Sequence, residues 1–214
     1  LGTSGRGAFV LGATVIGVVA AMTGGLTAST AYQVSNQKRD PGAVLVNGGS
    51  LAAALGALAI IAGIVAEQLL SGRPGVVALS VGASAAAVII TSVVSGVYLG
   101  HNALIRYNVA LVLPPMLSLA AIAITTLALG RDTPGAALWA FAAGQWLAMP
   151  VLLGAGAITL VRRLRFEGSL AASMLRFSLL AGMSSAISYL NYRADALVVQ
   201  RYEGTTGVGI YSIA

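Results

Sequence analysis

The sequence contains no cysteine, which excludes disulfide bonds and thiolate metal sites. Charge is almost as scarce: Asp, Glu, Lys and Arg make up 8% of the 214 residues, where a soluble domain carries about a quarter. Only six residues are acidic, and they stand singly. That leaves no carboxylate cluster of the kind that metal-dependent membrane glycosyltransferases or polyprenyl-chain enzymes place at the interface. No GxxxxGK[ST] phosphate loop occurs, so ATP is not a direct fuel within this chain. The one histidine, His101, has neither a second histidine nor a carboxylate nearby in sequence, which favours an interfacial residue over a proton relay. These absences point away from an enzyme and leave no metal or cofactor to expect.

Apolar length is what the sequence has in abundance. Hydrophobic residues are 57% of the chain and the mean hydropathy is +0.90, a composition suited to lipid as solvent. Apolar runs lie near 8–31, 43–70, 75–98, 108–130, 136–160 and 177–200. Each reaches the roughly 20 residues that a helix needs to cross a hydrocarbon layer about 30 Å thick. The runs are continuous, where barrel strands alternate over about 10 residues. The expected fold is therefore an all-α integral membrane protein, a polytopic bundle of six transmembrane helices. A formal net charge of +6 does not imply nucleic acid, because the basic residues sit in short loops between the runs.

The connections carry turn chemistry. Asp40-Pro41-Gly42, Gly72-Arg73-Pro74-Gly75 and Arg131-Asp132-Thr133-Pro134-Gly135 combine a fixed φ with residues that accept positive φ, and predict hairpins. Pro114, Pro115 and Pro150 fall inside runs, where they are expected to bend helices. Residues 161–176 form the longest polar connection. They are expected to link residues 1–160, the remainder of a first transmembrane lobe, to 177–214, the first helix of a second lobe and the turn after it. Loop charge gives orientation: Arg6, Arg73, Arg131 and Arg201 share one side, and Lys38, Arg39, Arg106, Arg162, Arg163, Arg165 and Arg176 the other. By the positive-inside rule 32–42, 99–107 and 161–176 are cytoplasmic, and the glycine-rich turns at 1–7 and 201–209 are outside. Arg162, Arg163 and Arg165 are expected to hold topology and touch anionic lipid.

Those two glycine-rich turns resemble each other. Gly204-Thr205-Thr206-Gly207-Val208-Gly209-Ile210-Tyr211 aligns with Gly2-Thr3-Ser4-Gly5-Arg6-Gly7-Ala8-Phe9. An even number of crossings separates them, so the repeat is parallel, as in transporters whose six-helix units are related by an axis along the membrane normal.

Just before the second turn, Arg193 and Asp195 interrupt an apolar run, and an ionisable residue there is a functional hypothesis by default. Two residues apart, they point about 200° from each other and need separate partners. Tyr189, Arg193 and Gln200 fall on one face at i, i+4 and i+11, which brings the Tyr189 ring within reach of the guanidinium. Asn191 and Asp195 share another face at i, i+4. Three roles are open for Arg193: meeting an anionic head group in a polar cavity, pairing with another helix, or snorkelling to the outer surface. Asp195 is expected to make a structural hydrogen bond. Tyr189, Asn191, Arg193, Asp195 and Gln200 are the candidate substrate-binding residues. Glu67 and Gln68 read as solvated at a helix end, Trp139 as an interfacial anchor. Gly17 with Ala21, Gly48 with Ala52 and Gly56, and Gly82 with Ala86 permit close helix contact.

With those residues in view, the chain resembles the Wzx-type polysaccharide flippases of the multidrug/oligosaccharidyl-lipid/polysaccharide exporter superfamily. The stretch from Arg176 through Leu190-Asn191-Tyr192-Arg193-Ala194-Asp195 to the Gly204 turn looks like their seventh helix and following turn. The opening Gly2–Phe9 is similar to the turn after their first helix, and Arg106-Tyr107-Asn108 with Pro114-Pro115 to the start of their fifth. The resemblance covers the whole chain and implies about the first half of a two-lobe protein. It implies translocation of an undecaprenyl-pyrophosphate-linked oligosaccharide across the bacterial cytoplasmic membrane by alternating access, for surface polysaccharide biosynthesis. The implied partners are that lipid-linked substrate, the bilayer and other polysaccharide-assembly membrane proteins, with no nucleic acid and no cofactor. Arg193 matches the family's cationic cavity, and the helices at 8–31 and 177–200 would line the cleft between lobes. The runs at 8–31 and 136–160 carry no charge, a departure from a heavily basic cavity. Competing readings are an exporter of another cargo in the same superfamily (a drug or cation antiporter, or a peptidoglycan lipid-precursor flippase), a membrane enzyme and a non-transporting scaffold.

Overall fold

A computed structural model describes residues 2–71, 76–154 and 166–212; the side chains of Glu67, Gln68 and Arg193 lie outside the described residues, as do Arg73, Arg162, Arg163 and Arg165. Every regular element among the described residues is helical, and six helical segments are long and apolar enough to cross a membrane. The protein is an all-α, multi-pass membrane protein.

The elements are α1 (Thr3–Thr23), α2 (Gly25–Ser35), α3 (Pro41–Ser71), α4 (Val76–Gly100), α5 (Leu104–Ala123), α6 (Pro134–Leu153) and α7 (Gly168–Tyr211). Gly24 joins α1 to α2 without leaving helical dihedrals, so the two cross as one apolar span, Gly5–Ser35. The turn chemistry of the connections is used as helix starts. The Asp40 carboxylate accepts from the Ala43 N–H at 3.0 Å with Pro41 opening α3, and Thr133 accepts from the Ala136 N–H at 3.3 Å with Pro134 opening α6. Pro114 and Pro115 are held inside α5, which ends in a five-residue π-helix, Ile124–Ala128.

Several boundaries differ from the sequence reading, each for a local reason. The expected turn at 1–7 is helical from Thr3 onward, where α1 begins. The fifth run stops at Leu153 rather than near 160, because Gly154 takes φ 62° and caps the helix with its N–H on the Pro150 carbonyl. The expected linker 161–176 is helical from Gly168 onward: Leu170, Ala171 and Met174 are buried at helical spacing, which anchors that turn in the bundle. The apolar span is accordingly Gly168–Tyr192, not 177–200. Residues 201–209 are helical too, apart from Gly204 at φ 68° and ψ −168°, a conformation open in practice to glycine alone.

α4 is the central helix, with 61% of its apolar window buried against 17% for α5. Leu26, Val44, Ile89, Val93 and Met174 join α2, α3, α4 and α7 in one core. Small residues set the close approaches: Gly56 lies over Ala86, Gly82 over Ile60 and Gly48 over Val93. Polar side chains fasten the bundle internally. Buried Asn47 donates to the Ala43 carbonyl at 2.7 Å and accepts from the Glu167 N–H at 3.0 Å, while Gln145 donates to Ser118 at 3.1 Å. At that same end of the bundle Arg39 pairs with Glu167 at 3.3 Å, so the loop after α2 and the approach to α7 share one face.

Candidate functional site

Helix α7 presents three faces. Leu170, Ala171, Met174 and Ser178 are buried in the core. A second face lies along α1, where the helices run antiparallel: Gly25 packs on Ser178, Gly182 on Met22 and Gly17 on Tyr189. The third face is uncovered, with Phe177, Leu180 and Ile187 exposed on it among six polar residues, Ser173, Arg176, Ser184, Ser188, Asn191 and Asp195. At 100° per residue these six fall within about 120° of the circumference.

The exposed face of α5 is the useful contrast. Ile105, Val109, Val112, Met116, Leu119 and Leu127 are exposed there, a surface suited to acyl chains. Hydroxyl, amide, carboxylate and guanidinium groups cost free energy in hydrocarbon unless they are paired or wetted. Both helices are uncovered, but differently: α5 offers lipid an apolar surface, and α7 mixes apolar side chains with polar ones that need water or a polar partner.

The expected site residues divide between these faces. Asn191 and Asp195 lie on the uncovered face of α7. Tyr189 is half-buried with its phenol on Gly17, where a Cβ would collide with it, and Gln200 is half-buried with an Oε1 that has no hydrogen-bond partner. The face read as one cleft wall from i, i+4 and i+11 spacing is thus a packed helix contact at Tyr189. Arg193 has helical backbone in α7. The structural hydrogen bond expected of Asp195 is present: it accepts from the Ala196 N–H at 2.7 Å and from the Tyr211 hydroxyl. Sequence reasoning passed over Ser173, Ser184, Ser188 and, as part of the site, Arg176. Their recurrence every three to four residues or multiples of that spacing is the trace they leave in the sequence, and it does not by itself distinguish an exposed serine from a buried one.

The Asp195–Tyr211 bond requires the chain to double back at Gly204, because sixteen residues of straight helix would separate the two by about 24 Å. Beyond Gly204 the short helical end turns toward α1 and closes a cavity of about 500 Å³ lined by Val10, Tyr192, Asp195, Ala196, Val208 and Tyr211. The Asp195 carboxylate, as hydrogen-bond acceptor and then as a nearby negative charge, holds the Tyr211 phenol above its ordinary value. The two repeated glycine motifs meet here. A Cβ on Gly7 would strike the Thr205 carbonyl, and one on Gly209 would strike the Thr3 carbonyl. In the alignment Gly7 corresponds to Gly209 and Thr3 to Thr205, so equivalent residues exchange roles across the contact, the signature of a local two-fold relation.

Fold and site together define a class, a multi-pass membrane protein with an uncovered helix face that carries polar as well as apolar side chains. Compared with protein families, characterised proteins and solved structures, the chain matches none.

Proposed function

We propose that this chain is the larger part of one lobe of a transporter that moves a lipid-linked oligosaccharide, carried on undecaprenyl pyrophosphate, across the cytoplasmic membrane. The observation that carries the reading is the uncovered face of α7, which exposes polar side chains beside apolar ones. A substrate with a charged head group, a sugar and an isoprenoid tail needs both a wet track for its polar end and open contact with lipid for its tail. Ser184, Ser188, Asn191 and Asp195 supply donors and acceptors along about 17 Å of helix, while exposed Phe177, Leu180 and Ile187 offer the tail an apolar surface. The reciprocal contact of the two glycine motifs supports a two-lobe design in which 177–214 is the first helix of the second lobe and the turn after it. Residues 32–42, 99–107 and 161–176 face the cytoplasm in this reading, by their excess of arginine and lysine.

The test is depletion of the full-length protein in its own bacterium, followed by fractionation of lipid-linked oligosaccharide between the two leaflets. Loss of surface polysaccharide with accumulation of substrate on the inner leaflet is expected. Asn191→Leu and Ser184→Leu, expressed at normal level, should reproduce that phenotype at least in part, because each puts an apolar side chain on the track. Unchanged surface polysaccharide on depletion would reject the proposed cargo, and a gain in drug sensitivity instead would favour an exporter of small molecules.

A further inference from the structure

We infer that Arg176, with Ser169 and Ser173, forms a binding site for the phosphate of an anionic bilayer phospholipid at the start of α7. Arg176 stands on α7 about 12 Å beyond Gly168 and inside the apolar span Gly168–Tyr192, yet it is exposed. It lines a groove of about 480 Å³ with Ser169, Ser173, Phe177 and Leu180. An unpaired guanidinium at such a depth is costly. Among the described residues no carboxylate lies within ion-pair distance of it: Glu167 is taken by Arg39 at 3.3 Å, and Asp40 accepts from the Ala43 N–H. The counter-anion has to come from elsewhere.

The groove is built for an anion. Ser169 and Ser173 precede Arg176 by seven and three residues and so lie on its own face of the helix. Gln33, 8% exposed, directs its Nε2 donor to the Ser173 oxygen at 3.5 Å. That leaves the Ser173 proton available to a ligand rather than to Gln33. A planar guanidinium and two hydroxyls form a donor set matched to a phosphate, which the guanidinium can grip through two parallel hydrogen bonds.

The walls say that the phosphate belongs to a lipid. Phe177 and Leu180 are 45% and 67% exposed beside Arg176, and they offer an apolar surface that a free hydrated anion would gain nothing from and an acyl chain would cover. The groove presents no carboxylate to meet a choline or ethanolamine, so a head group with net negative charge, such as phosphatidylglycerol, fits it best.

The experiment uses the full-length protein in nanodiscs of phosphatidylcholine doped with phosphatidylglycerol, with bound lipid counted by native mass spectrometry. The wild type should retain phosphatidylglycerol over phosphatidylcholine, and Arg176→Ala should reduce that preference about tenfold or more, the loss expected for hydrogen bonds to a charged group. Arg176→Lys should keep part of it, and Ser169→Ala, at an exposed position of the same groove, should weaken it without changing the melting temperature. An undiminished preference in Arg176→Ala overturns the site. So does a melting temperature in Arg176→Ala that falls sharply in phosphatidylcholine alone, which would mark a protein partner for the guanidinium. Displacement of the phospholipid by an equimolar polyprenyl pyrophosphate would assign the groove to a transported substrate and overturn the phospholipid assignment.

Discussion

Tyr189 and Gly17 show how a residue conspicuous in a sequence acquires its meaning from its neighbour. The phenol occupies the space that a side chain at position 17 would fill. Gly17→Leu should therefore overpack the α1–α7 contact at a cost of about 1–3 kcal/mol, read as a lower melting temperature of the purified protein. Tyr189→Ala added to that variant should recover part of the loss, and a Gly17→Leu protein that melts like the wild type would show that the contact is not close. Tyr211 makes a second case at this scale. Its phenol is held above its ordinary value by Asp195, so the folded state keeps that proton more tightly than the unfolded chain does. The stabilisation is present below the unfolded value near pH 10 and is lost as pH rises through the folded one. In an ultraviolet titration, the difference between wild type and Tyr211→Phe should show one tyrosine ionising above about pH 10, and Asp195→Asn should bring it down. If that tyrosine titrates alike with and without the carboxylate, the doubled-back end is not held by this bond. Arg193 and Asp195 were legible as charges within an apolar run. The serines were not, because a hydroxyl in a helix can satisfy itself on its own backbone, as buried Ser84 does on the Ser80 carbonyl at 2.8 Å. Spacing cannot separate Ser84 from the exposed Ser184; only packing does.

Helices were the most legible feature of this chain, and their ends the least. An apolar run long enough to span lipid declares itself by composition. Where it stops depends on single residues such as Gly154, whose positive φ closes α6 before the apolar run has ended. The start of α7 was hidden for the opposite reason. Its first turns carry Ser169, Ser173 and Arg176 beside a basic segment and read as a loop, while Leu170, Ala171 and Met174 are buried in the core. The difference between α5 and α7 gives a prediction for whole elements. Single cysteines replacing Ser184 and Asn191 should react with a membrane-impermeant maleimide in the full-length, otherwise cysteine-free protein. Cysteines at Val112 and Leu119 on the exposed face of α5 should stay inert in a bilayer. Inertness at all four positions would mean that another part of the assembly covers α7, and the wet track would be lost with it.

At the scale of the molecule, the two ends of the described chain return to one place. Six spans carry the chain from Thr3 to the turn at Gly204, and an even number of crossings brings it back to the face it left. There the two glycine motifs engage through exchanged contacts, Gly7 on Thr205 and Gly209 on Thr3. Such reciprocity makes the two glycines a single energetic unit. Gly7→Ala alone has to push the Thr205 segment away, and Gly209→Ala alone has to push away Thr3; either shift opens the space that the other Cβ needs. The double variant should thus cost little more than the worse of the two single ones, a coupling of the order of 1 kcal/mol or more for residues sharing one contact. A double-mutant cycle on melting temperatures of the full-length protein measures it directly. Strictly additive losses would mean that the segments yield independently, and the two-fold relation between the repeats would then be a likeness of sequence without a mechanical counterpart.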